Sequence, residues 1–214
     1  HVLGLKISLQ NMFKNGGKLE PEKIGINQAS TFKGFCSKHD KELFACVEDM
    51  PFIGDEKQNF ALMYRSVAKE LYAKEGGLQS GEFLKEGDKG KSKFEQVMLQ
   101  KLASKNMLGL DTAHTELTEF KELLDGHLLN NNLELCHVIF ESSQIIPVVV
   151  SSILSPISDF NGNRIQELGD LGVKAESVTF NTINSYGKGF VVFSWLKSSD
   201  VINKFITSLL SLNQ

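Results

Sequence analysis

Cysteine is scarce in this chain: Cys36, Cys46 and Cys136 are the three in 214 residues. An odd and sparse set excludes a disulfide framework and leads to the expectation of a reducing compartment, the cytoplasm. Long hydrophobic runs are missing as well. The longest apolar stretch, Ile145 to Leu154, is interrupted by Pro147, Ser151 and Ser152, well short of the roughly 18 residues that a membrane span needs. No membrane partner is expected, and the start carries no signal-peptide pattern. There is no excess of positive charge. The net charge of −3 argues against a broad nucleic-acid-binding surface, although a local basic patch is compatible with it. A glycine-rich phosphate loop, a Gly-x-Ser-x-Gly elbow and a clear pair of catalytic carboxylates are all absent, as are internal repeats and low-complexity segments.

What is present is the composition of a globular protein, 41% hydrophobic and 23% charged, with enough chain for one large domain or two small ones. The alternation of Leu3, Leu5, Ile7 and Leu9 predicts a short strand near the start. Lys38 to Glu48 carries Leu43, Cys46 and Val47 at helical spacing, and Pro51 ends that helix. Asp55 is placed to cap the next one, whose apolar face runs from Phe60 to Leu71, and Gly76-Gly77 reads as its stop. Gly77 to Lys93, rich in glycine and lysine, reads as an exposed loop. A helix from about Phe94 to Leu108 follows, with Phe94, Val97, Met98 and Leu102 inward and Gly109 as its stop. Another starts at Asp111 or Thr112, with Leu117, Phe120, Leu123, Leu124 and Leu128 inward, and Asn130-Asn131-Asn132 ends it.

Beyond Asn132 the β-branched content rises. Leu133 to Phe140 and Ile145 to Leu154 read as strands. Asn161-Gly162 marks a hairpin turn, and Ser177–Ile183 and Gly189–Leu196 form a second hairpin across Ser185-Tyr186-Gly187. Ser199 caps a final helix with Ile202, Phe205, Ile206 and Leu209 inward. Helices and strands are segregated, so the predicted class is α+β: a small N-terminal module over residues 1–51, a helical region over 52–132, and a mostly antiparallel sheet with a terminal helix over 133–214.

The run from Thr31 to Phe44 is the most suggestive for chemistry. Cys36 and His39 stand three positions apart behind Phe32-Lys33-Gly34-Phe35, a spacing that directs a thiolate and an imidazole at one metal ion. Zinc takes four ligands, so this is half of a site. The other reading is a buried Cys36 with an exposed His39 that starts a helix. Cys46, seven residues after His39 and so on about the same helical face, is a further candidate ligand, but its main reading is core beside Leu43 and Val47.

His1-Val2-Leu3, followed by Gly34-Phe35-Cys36-Ser37-Lys38-His39-Asp40 and Glu42-Leu43-Phe44, resembles the HNH, or ββα-metal, nuclease group. It is most similar to uncharacterised bacterial proteins of treble-clef layout. The resemblance covers about 45 residues and implies that the N-terminal module is treble-clef-like. It implies Cys36 and His39 as ligands of a structural zinc, and His1 as the general base for water. The first cysteine pair of that pattern is missing, and because the chain opens on His1 rather than Met, a truncated start is the expectation. The resemblance further implies a metal-dependent enzyme that cleaves DNA or RNA with Mg or Mn, in a bacterial defence setting. The alternative is a non-catalytic, zinc-stapled binding module for a protein or small-ligand partner.

Other combinations have plainer readings. Asp159, Asn161, Asn163 and Asp170 mimic part of a calcium loop, but an Asn-Gly hairpin explains the same residues. His114, His127 and the Cys136-His137 pair read as packed or rim side chains. The lysines at 85, 89, 91 and 93 read as a solvated loop. Phe190 and Phe193 have opposite parity and so face opposite sides of a strand, which suits core and cover better than a stacking platform with Tyr186 and Trp195.

Overall fold

The computed structural model describes residues 2–4, 14–16, 18, 20–25, 32, 34–132, 134–168 and 173–212. The chain divides into two compact units, His1–Gly34 and Phe35–Gln214. In the first, strands β1 (Val2–Gly4) and β2 (Glu22–Ile24) pair antiparallel, Leu3 facing Lys23. Of the strand expected from Leu3 to Leu9, the part beyond Gly4 lies outside the described residues.

The second unit is an α+β assembly of helices α1 (Ser37–Glu48), α2 (Glu56–Glu86) and α3 (Lys93–Asn130), strands β3 (Leu135–Ser142), β4 (Ser151–Leu154), β5 (Val178–Ser185) and β6 (Lys188–Leu196), and helix α4 (Asp200–Ser211). Helix α1 arises from the expected apolar spacing. Phe44 and Val47 are buried, and Phe35 packs edge-on to Phe44 at 5.4 Å between ring centroids. The corner after α1 is held by buried Gln58. Its side-chain oxygen accepts the N–H groups of Ile53 and Gly54 at 2.8 and 3.0 Å, and its amide donates to the carbonyls of Cys46 and Pro51 at 2.9 and 2.7 Å. Asp55 caps α2 by accepting the N–H of Gln58 at 2.8 Å.

Two expected helix stops do not occur. Helix α2 runs through Gly76-Gly77 for 31 residues, and α3 runs through Gly109 for 38, about 46 and 57 Å at 1.5 Å per residue. A glycine stops a helix by turning left-handed, and none of these three has positive φ. Gly77 and Gly81 instead bring the helices close: a Cβ at 77 would lie 3.3 Å from Leu110, and one at 81 would overlap the Met107 sulfur. The loop expected over 77–93 is therefore reduced to the turn after Glu86. Ser92 then opens α3 through a capping box with Glu95, and Asn131, left-handed at φ 47°, closes it.

The inward face expected for the first half of α3 is also corrected. Phe94, Val97, Met98 and Leu102 are 53–75% exposed, because Ala103 and Met107 are the residues turned toward α2 there. Periodicity finds an apolar stripe but not what it faces. In the second half of α3, Leu117, Phe120, Leu124 and His127 are buried, whereas Leu123 and Leu128 are more than 40% exposed.

The sheet has the order β3-β6-β5-β4, antiparallel throughout. The β5–β6 hairpin closes over Tyr186 and Gly187, both at positive φ, the type I′ geometry whose twist suits a two-residue hairpin. Strand β4 is shorter than expected. Upstream of it the chain is tied to β5 by side chains: Asn184 brackets Ile146, with bonds of 2.8 and 2.9 Å to its N–H and carbonyl, and the Thr182 hydroxyl joins Val148 and Val150 at 2.7 and 2.8 Å. Pro147, without an N–H, fits such an edge and not a ladder.

One face of the sheet, with Val192, Phe190, Leu196 and Ile153, packs on α1, α2 and α3. The other, with Val178 and Trp195, packs on Ile202, Phe205 and Ile206 of α4. Ser199 caps α4 by accepting the Ile202 N–H at 3.2 Å. Among the described residues no helix is long and apolar enough to cross a membrane.

Candidate functional site

The concavity that stands out in the second unit is a pocket of about 500 Å³ between the α2–α3 hairpin and the sheet. Its floor is apolar, made by Leu117, Phe120 and Leu123 of α3, Ile153 of β4 and Leu196 of β6. The helical spacing of 117, 120 and 123 turns these three to one side. The far wall is the segment 174–177, fixed at several points. Gln166 accepts the Glu176 N–H at 3.0 Å and donates to the Glu176 carbonyl at 3.0 Å. Glu116 accepts the Ala175 N–H at 3.2 Å, and the hydroxyls of Ser155 and Ser177 meet at 2.7 Å.

The charged groups of the rim are already engaged. Lys74 pairs with Glu70 at 3.0 Å and Lys174 with Glu119 at 2.7 Å. The Glu176 carboxylate accepts from the Ser199 hydroxyl and, at 3.3 Å, from the Val201 N–H at the start of α4. A carboxylate at a helix N-terminus is the arrangement the helix dipole favours. Among the described residues the lining contains neither histidine nor cysteine, and the one carboxylate bonded to a lining serine, Glu176, also accepts the Val201 N–H. The recess thus combines apolar walls with a few fixed polar groups at its mouth.

The residues suggested by the sequence are placed as follows. Cys36 is the N-cap of α1 and His39 sits in its first turn, both exposed. The reading of Cys36 as a buried thiol does not hold. Among the described residues, no group of three His, Cys, Asp or Glu side chains gathers as a metal site. Cys36 and His39 therefore do not by themselves make up the four-donor set zinc prefers. His1 lies outside the described residues. Cys46 is half-buried, donates weakly to the Leu43 carbonyl at 3.7 Å, and its thiol is pushed up by burial.

His137 and Cys136 point to opposite faces of β3. The His137 Nδ1 is 2.9 Å from the Ser194 hydroxyl, but Ser194 is wholly buried, so this histidine–serine pair cannot meet a substrate. Burial holds the His137 imidazole below its usual value. His127 packs against the Phe60 ring at 4.8 Å. Asp159 accepts the N–H groups of Asn161 and Asn163 at 2.9 and 2.8 Å, and the Asn163 side-chain amide holds its carboxyl low. That is the hairpin reading of this turn; Asp170 lies outside the described residues. Trp195 is buried and donates to Asn203 at 2.8 Å, so it is not a stacking surface.

The pocket went unmarked in the sequence because its lining comes from positions 70 to 199. The local signs are slight: Glu70 precedes Leu71 and Glu116 precedes Leu117, charges set against apolar faces at a rim.

The fold and pocket together define an α+β protein with a helix-covered antiparallel sheet and an apolar recess at the helix–sheet junction. No protein-family model matches the chain, and no curated protein or solved structure matches it either.

Proposed function

We propose that the chain is a binding module whose recess between α2, α3 and the sheet receives a small, largely apolar ligand. The supporting observation is the recess itself. Its volume of about 500 Å³ falls within the range of ligand pockets, and its engaged rim charges favour a neutral or weakly polar guest over a highly charged one. Native mass spectrometry of the purified protein, before and after organic extraction, tests this. A released small molecule bound one per chain supports the reading. A protein with no such adduct that also fails to take up an apolar fluorophore such as anilinonaphthalene sulfonate rejects it.

A second reading rests on the exposure of Cys36 and His39 in one helical turn. We infer for it a structural zinc with these two as partial ligands, as the resemblance to HNH-type proteins implies. The cleavage of DNA or RNA with Mg or Mn, His1 acting as base, belongs to the same reading. Zinc content of the native protein and its loss on Cys36→Ser test the metal. Cleavage that disappears in His1→Ala tests the chemistry.

A further inference from the structure

Strand β3 lies at one end of the sheet and differs from the opposite edge. Strand β4 has four residues, and its Ser151 carbonyl is taken by Lys69 Nζ at 3.3 Å. Strand β3 has eight residues in unbroken register with β6, without a bulge. It carries neither proline nor lysine, the usual means of blunting an edge.

The direction of each backbone group follows from the register. The type I′ turn closes on Ser185 and Lys188, a mutually bonded pair, and bonded pairs alternate along antiparallel strands. Residues 188, 190, 192 and 194 of β6 therefore bond to β5, and 189, 191, 193 and 195 bond to β3. The Lys197 N–H donating to the Glu134 carbonyl at 2.9 Å continues this alternation beyond the strand. Hence Cys136, Val138, Phe140 and Ser142 bond inward, while Leu135, His137, Ile139 and Glu141 direct their N–H and carbonyl groups outward. Among the described residues no backbone partner meets this outer row.

We propose that this edge is an interface with a second copy of the chain, β3 pairing antiparallel with β3 about a two-fold axis at Val138. In that register His137 faces Ile139 of the second copy and Leu135 faces its Glu141, so all four outward residues pair, with about eight backbone hydrogen bonds at two per bonded pair. Glu141 is the only acidic residue of the strand, and this register sets it opposite a leucine, not another carboxylate. With one carboxylate and no lysine or arginine in the strand, the edge offers no complementary row to a basic or acidic peptide, and the two-fold register keeps the two Glu141 carboxylates apart. The two four-stranded sheets become one continuous sheet across an isologous interface.

Hydrogen exchange on the intact protein at low and high concentration, alongside sedimentation equilibrium, tests the proposal. A concentration-dependent dimer is expected, with the amides of His137, Ile139 and Glu141 exchanging at least about tenfold more slowly at high concentration. Those of Val138 and Phe140 stay protected throughout. Glu141→Pro removes one outward N–H near the strand end, a position where proline is tolerated, and is expected to weaken the dimer with little change in melting. A chain that is monomeric at all concentrations, with those three amides exchanging freely, overturns the proposal. So does a dimer in which the three amides never become protected.

Discussion

The Ser66 hydroxyl meets the Asn181 side-chain oxygen at 2.9 Å, joining the middle of α2 to the centre of the sheet across 115 positions of sequence. Both residues are at most 1% exposed. Ser66 also reaches the Leu62 carbonyl at 3.0 Å and the Ser151 hydroxyl at 3.1 Å. This polar contact ties the α2–α3 hairpin to the buried face of the sheet. Ser66→Ala leaves a buried acceptor without its donor, which costs about 1–3 kcal/mol. Chemical denaturation is expected to show that loss. A variant as stable as the wild type would mean the contact contributes nothing to the docking of α2.

Gln58 is a second such point. It closes four backbone bonds at the corner between α1 and α2, using the full polar capacity of its amide in a site 3% exposed. Gln58→Leu removes the acceptor of two part-buried N–H groups and the donors to two carbonyls, and is expected to lower stability by roughly 1–3 kcal/mol. Gln58→Glu supplies the acceptors but not the donors and should fall between. Equal stability of Gln58→Leu and the wild type would contradict the role given to this corner.

The continuous helices make a prediction opposite in sign to the one a stop would make. Gly76 and Gly109 lie inside helices, have no positive φ, and have open space where a Cβ would stand. Gly76→Ala and Gly109→Ala should therefore each stabilise the protein by about 0.5–1 kcal/mol. If either glycine ended its helix in a left-handed turn, alanine would destabilise instead. Thermal melts of the two variants separate these outcomes.

His137 sets an acid sensitivity. Burial lowers its folded-state value from 6.5, so below about 6.5 the unfolded chain binds a proton that the folded chain resists. The stability this histidine supplies is complete above that value and declines as the pH falls toward the depressed folded-state value. Replacement by a neutral residue able to bond to Ser194, His137→Asn, is expected to flatten the decline of stability as the pH falls below about 6.5, the ordinary imidazole value. An unchanged slope would assign the acid response to other groups.

Much of the fold was legible because its signals are local. The caps at Asp55 and Ser199, the apolar spacing of α1 and α4, and the Tyr186-Gly187 turn each depend on residues within one turn of each other. What misled was glycine. A Gly-Gly pair carries the same letters whether it ends a helix or lets a second helix approach, and only the partner, here Leu110 near Gly77, distinguishes them. The Phe94–Leu102 stripe failed for the same reason: amphipathicity reports a face but not its neighbour. The Cys36–His39 spacing, proposed as part of a metal site, was visible in the sequence, whereas the recess was not, since no single element carries more than a fraction of its walls.

The most direct measurement is a titration of wild type and Leu123→Glu with anilinonaphthalene sulfonate, followed by fluorescence and calorimetry. Leu123 lines the recess yet is 45% exposed, so the glutamate is tolerated by the fold and places a charge on the apolar floor. Single-site saturable binding to the wild type, weakened at least about tenfold in the variant, roughly 1.4 kcal/mol, with the melting temperature retained, is the predicted result. Equal binding by both proteins, or no saturable binding by the wild type, would contradict a ligand-binding recess.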